Sequence, residues 1–210
     1  MATPKLTIKS DRDFEFNKVK DTLKKLDWFI AQGYVVGLPK IDLDELKNIS
    51  DKNLYKLIDQ EMKTISDVVL DYIKRLEIDW EKNAEETIIG LKNLIGSKIQ
   101  TEYLIFLTQY GPGGGYYYPN KINIKLHPPK EGWSIGTLIH EIIHLSIHPL
   151  IEKYQIEHWT KERLVDLISL KIFPGKFKLQ RDPENNELVK KYFEQYYPDI
   201  EKIISAISKI

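Results

Sequence analysis

The chain has 210 residues, 42% of them hydrophobic and 30% charged, with Lys plus Arg and Asp plus Glu balanced at 31 each. That is enough chain for one sizeable core, and the zero net charge gives no electrostatic reason to expect nucleic acid or an anionic membrane as partner. There is no cysteine, which excludes disulfides, Cys-ligated zinc and iron–sulfur clusters.

In chain order, residues 1–9 lack the apolar core of a signal peptide. No apolar stretch approaches the roughly 20 residues needed to span a bilayer. A cytoplasmic protein is the expectation. Residues 6–8 suit a short strand. Residues 14–30 carry apolar side chains at helical spacing, interrupted by Gly33, Gly37 and Pro39. Asp51 is placed to N-cap a helix through about residue 76, with Leu54, Ile58, Met62, Ile65, Val69 and Tyr72 on one stripe. A further amphipathic stretch covers residues 80–94, with Gly96 as its stop.

The period then changes. Residues 103–108 form a short apolar run that suits a buried strand. Residues 121–126 alternate strictly, which predicts a strand with one solvated face. Between them the glycines and prolines of residues 111–120 mark a loop. The Gly run resembles a phosphate loop only superficially, because no Lys-Ser/Thr follows and no helix opens after it. After Pro128 and Pro129 a helix is predicted from about Ser134 to Ile147, closed by Pro149. A second helix opens near Thr160 and ends at Phe173, Pro174 and Gly175. Two more helical segments, residues 184–196 and 199–207, complete the chain.

The chemistry concentrates in the helix after Pro129. His140, Glu141 and His144 form the pattern His-Glu-x-x-His. Residues four apart share one helix face, so both imidazoles can address one ion. Glu141 sits about 100° around the axis, near the ion but displaced from the ligand pair, as a general base acting on metal-activated water requires. From Ile135 to Ile147 there is no Lys or Arg, and the polar groups Thr137, His140, Glu141, His144 and His148 fall in one arc. Buried polar groups need partners, and one metal ion would satisfy most of these. A five-residue pattern also arises by chance, but here three of only five histidines fall within nine positions.

A catalytic zinc site usually takes three protein ligands and keeps a fourth position open. The third ligand expected is Glu162 on the next helix, with Asp166 one turn on, placed to accept a hydrogen bond from the outer nitrogen of a ligand histidine. The alternative is that both are ordinary acids near a helix N-terminus, where carboxylates are favoured anyway. His148 and His158 compete for the metal. His148 lies next to Pro149, where it suits lining a cleft or capping the helix. His158 lies 14 residues beyond His144.

His140-Glu-Ile-Ile-His144, followed by Glu162-Arg-Leu-Val-Asp166, resembles the gluzincin metallopeptidases, and the chain length resembles their small minigluzincin members. His158 as third ligand would instead resemble the SprT-like proteases, whose usual Gly is replaced here by Trp159. The gluzincin resemblance covers residues 101–175. It implies an α+β fold with a zincin-like core: a small sheet, an active-site helix and a glutamate helix, over residues 98–210. Residues 1–97 form a mainly helical region outside the resemblance. The resemblance further implies Zn2+ on His140, His144 and Glu162, with Glu141 as general base and Asp166 behind the ligands. It implies a peptide or protein substrate, laid against residues 121–126 as an upper edge strand. The proton-donating His or Tyr of the larger family is not matched; Tyr192, Tyr196 and Tyr197 lie in its chain direction. The competing expectation is a non-enzymatic module that keeps the fold for binding or regulation. The segment from Pro183 onward could also fold over the cleft and hold the protein latent.

Overall fold

The computed structural model describes residues 3–95, 99–126, 133–176 and 187–210. A first strand, β1 (Lys5–Ser10), leads into α1 (Arg12–Lys24), α2 (Leu26–Ala31), α3 (Leu43–Asn48), α4 (Asp51–Thr64) and the long α5 (Ser66–Ile95). Three strands follow, β2 (Glu102–Thr108), β3 (Gly114–Tyr117) and β4 (Lys121–Lys125). The chain ends in α6 (Trp133–Tyr154), α7 (His158–Ile172), α8 (Glu187–Tyr196) and α9 (Ile200–Ile207). This is an α+β fold, mostly helical, with a small mixed sheet.

The sheet order is β1-β2-β4-β3. β1 and β4 both run parallel to β2, and β3 returns antiparallel along β4. Alternation sets the layers. Leu6, Ile8, Tyr103, Ile105, Leu107, Ile122 and Ile124 occupy every second position and face one way. They join the main core with Leu76, Trp80 and Leu91 of α5, the apolar side of α6 and α7, and Ile203, Ile204 and Ile207 of α9. The opposite face meets α1: Phe14 stacks on Phe106 at 4.2 Å. A second, smaller core behind α1 joins Phe16, Val19, Leu46, Leu54, Ile58 and Tyr110.

Several expectations change. β4 is interior, paired on both sides, so residues 121–126 are not the edge; the edge is β3, drawn from the Gly-rich loop. Glycines without side chains let that segment lie flat against β4 and α6. The alternating face of β4 is also not solvated: Asn123 is fully buried beneath α1, where Lys18 Nζ donates to its Oδ1 at 3.2 Å. Pro149 does not end α6, which continues to Tyr154. The continuation buries Ile151, which offsets the missing N–H at Pro149. The helix expected from Asp51 is capped by Ser50 and broken at Ile65; α5 then runs without interruption through the gap expected at residues 77–79. α7 opens at His158, two residues early. The stop at Gly96 and the boundaries at Pro128, Pro129 and Pro183 lie outside the described residues.

Candidate metal centre

α6 carries His140 and His144 one turn apart, and α7 crosses it to bring in Glu162. His140 Nε2 and His144 Nε2 are 2.9 Å apart, and they lie 3.1 and 3.2 Å from the same oxygen, Glu162 Oε2. Ligand atoms about 2.0–2.2 Å from a tetrahedral ion sit roughly 3.3 Å from one another. The triangle is therefore close to the right size for one ion. Among the described residues, His140, His144 and Glu162 form the group able to hold a metal.

The electrostatics suit that use. Burial lowers the His144 imidazolium to about 4, so the ring is neutral and its nitrogen lone pair is available. Burial alone would raise Glu162, but His144 and His140 together hold its carboxyl well below the usual range. His140 is only partly exposed, and desolvation would lower it, yet its hydrogen bond to Glu162 and the charge of Glu141 raise it. His144 Nδ1 is buried with no hydrogen-bond partner, and its ring is clamped instead by Tyr116, stacked at 5.0 Å and 14°. Asp166 is buried and faces His140 Nδ1 from 3.8 Å, longer than a direct hydrogen bond. Lys161 Nζ lies 3.5 Å from Glu162 Oε1.

The Glu141 carboxylate reaches the sheet edge, while the charges of His140 and Glu162 still act on it. A Cβ placed on Gly114 of β3 would lie 2.5 Å from Glu141 Oε1 and 2.6 Å from Thr137 Cγ2. The carboxylate therefore lies against the backbone of the edge strand. Burial pushes it up to about 7, opposed chiefly by His140.

His148 is not drawn into the triangle. Its Nδ1 faces the Tyr116 hydroxyl at 3.4 Å and its ring stacks on Tyr118 at 4.8 Å. His158 lies behind Glu162, with Nδ1 3.7 Å from Oε1 and Nε2 2.7 Å from the Tyr34 hydroxyl. Tyr192, Tyr196 and Tyr197 pack against the main core. Tyr34 and Tyr116 are the phenols on which the Glu141 and Glu162 charges act, and burial raises both. Neither these two nor Lys18, whose ammonium also feels Glu141, was legible from sequence, since each reaches the site across the fold. The Gly and Tyr run at residues 113–118 was the one local signal.

No family model, curated protein or solved structure matches the chain.

Proposed function

We propose that the chain is a zinc-dependent metallopeptidase of the gluzincin type, with a zincin-like core. The observation that carries this reading is the convergence of His140 Nε2, His144 Nε2 and Glu162 Oε2 within 2.9–3.2 Å, with a buried carboxylate, Glu141, one residue from the first ligand. A zinc ion held by these three side chains supplies a Lewis acid that polarises a peptide carbonyl and acidifies water.

The rest follows from the chain's own groups. Glu141 accepts the proton of the attacking water and passes it to the leaving amine, the role of a carboxylate held beside the ligand pair but outside it. β3 is the outer strand of the sheet, so an extended peptide can add to its outer side by backbone hydrogen bonds. Gly114 sets that backbone beside Glu141, which brings the scissile bond of an added strand toward the base. Asp166 faces His140 from behind and holds the ring's orientation electrostatically.

The test separates base from ligand. Glu141→Gln should keep the fold and its zinc while peptide cleavage falls at least ~10²-fold. His144→Ala should lose both zinc and cleavage. Metal analysis and a peptide-library assay on the two variants read this out. Equal cleavage by parent and Glu141→Gln removes the mechanism. A parent that binds zinc and cleaves nothing favours the binding or regulatory module.

A further inference from the structure

A cavity of about 270 Å³ opens beside the metal centre, lined by Trp28, Gln32, Glu157, His158 and Trp159. Its walls come from two distant parts of the chain. Trp28 lies on α2, and Gln32 follows it; Glu157 caps α7, and His158 and Trp159 open that helix. The junction is built. Trp159 Nε1 donates to Gln32 Oε1 at 2.5 Å. Trp159 stacks on Tyr34 at 5.9 Å and 8°, and Trp28 meets His158 edge-on at 5.2 Å.

Aromatic walls attract either apolar groups or cations, and Glu157 decides between them. Its side chain makes no capping hydrogen bond, and among the described residues it has no ion-pair partner. Lys161, one turn on, does not neutralise it, because its ammonium is directed at Glu162, 3.5 Å away. The cavity thus combines indole faces, a side-chain amide and a carboxylate that no described residue pairs with. Trp28 is 43% exposed, so its ring is available to an incoming group. His158 links this cavity to the centre, with Nδ1 3.7 Å from Glu162 Oε1.

We propose that this cavity is a substrate subsite that takes the cationic side chain of a lysine or arginine next to the cleaved bond. The proposal rests on the peptidase reading for its substrate, but its recognition chemistry does not. The ammonium or guanidinium sits against Trp28 and Trp159 and pairs with Glu157, while the aliphatic stem covers the ring edges. The N-terminal helices then set specificity for chemistry performed by α6 and α7.

Binding and cleavage are measured separately. The probes are blocked alanine pentapeptides with a central Lys, Arg or norleucine, the last being an uncharged residue of similar length. They are titrated by NMR into metal-free and zinc-loaded protein. The cationic peptides are expected to bind about tenfold more tightly than the norleucine peptide, and to weaken with salt. Glu157→Gln should abolish that preference, with little change in norleucine binding; Glu157 is exposed and uncapped, so the fold should persist. Trp28→Leu should reduce the preference independently. Equal binding of the three peptides, or a preference unchanged in Glu157→Gln, overturns the subsite. If the preference holds and follows Glu157 while no peptide is cleaved, the subsite stands and the peptidase reading falls. If peptides are cleaved without regard to basic residues, the reverse is true.

Discussion

Gly114 is the residue on which the geometry of Glu141 depends most directly. Any side chain there meets the carboxylate at 2.5 Å and Thr137 at 2.6 Å, between two elements that are already packed. Gly114→Ala is expected to turn Glu141 away or lift β3, at a cost of about 1–3 kcal/mol in stability. It touches none of the three ligand atoms, so zinc content should be unchanged. kcat/KM for a peptide should fall by about ten- to a hundredfold, the effect of misplacing a reacting group by about 1 Å. Full activity in a stable Gly114→Ala variant would show that Glu141 does not need the edge strand beside it. At this scale the meeting of His140, His144 and Glu162 was readable in advance and their neighbours were not. His140 and His144 are related by one helical turn, a local rule. Glu162 was found by the same rule applied to a second polar arc. Gly114, Tyr116 and Lys18 reach the site only through pairing and layering, which no local spacing encodes.

The elements divide the same way. Helical stripes gave α1, α4, α5 and α7 because burial on one face needs apolar residues at three and four. Boundaries were lost where tertiary packing overrules a local breaker, as at Pro149, where α6 continues to bury Ile151. The edge strand was misassigned because the three glycines of residues 113–115 read as a turn despite the strand-favouring Tyr116 and Tyr117, and only the free side of β4 makes them a strand. One joint between elements makes a testable contribution to stability. Glu15 on α1 is fully buried against the end of β2, where it accepts hydrogen bonds from the Thr108 hydroxyl and from the Gln109 amide at 2.8 Å. Burial pushes its carboxyl from 4.5 up to about 7. The folded value lies above the unfolded one, so its contribution is complete below pH ~4.5 and is lost as pH rises through ~7. Between pH 5 and 8 the parent should lose up to roughly 3 kcal/mol more stability than Glu15→Gln, which stays neutral throughout. Urea unfolding at the two pH values measures the difference. Parallel pH profiles would mean that the joint holds an ionised carboxylate.

At the scale of the molecule, the described part of the N-terminal region, residues 3–95, is structurally continuous with the rest. β1 is a strand of the same sheet, parallel to β2 over six residue pairs. Leu76, Trp80, Ala84 and Leu91 of α5 belong to the same buried cluster as Ile139, Ile143 and Ile168 of α6 and α7. Trp80 Nε1 donates to Pro4 O at 3.2 Å, fastening the start of the chain to the back helix. None of this could be read from residues 1–97 alone. A parallel partner such as β2, 97 residues away in register, leaves no local mark, and an amphipathic helix does not say which surface it covers. The consequence is that residues 98–210 should not fold by themselves. Without α5 the inner side of α6, including fully buried Ile142 and Ile143, loses much of its cover. Without β1, β2 becomes a bare edge, open to mispairing. The fragment is expected to be insoluble, or to unfold without cooperativity and without tight zinc binding, since His140, His144 and Glu162 converge only when α6 and α7 are held across each other. Supplying residues 1–97 as a separate chain in the same cell should restore soluble, zinc-binding protein. Cooperative unfolding of the isolated fragment, with zinc bound, would show instead that residues 98–210 are an independent unit and that the N-terminal helices are an addition to it.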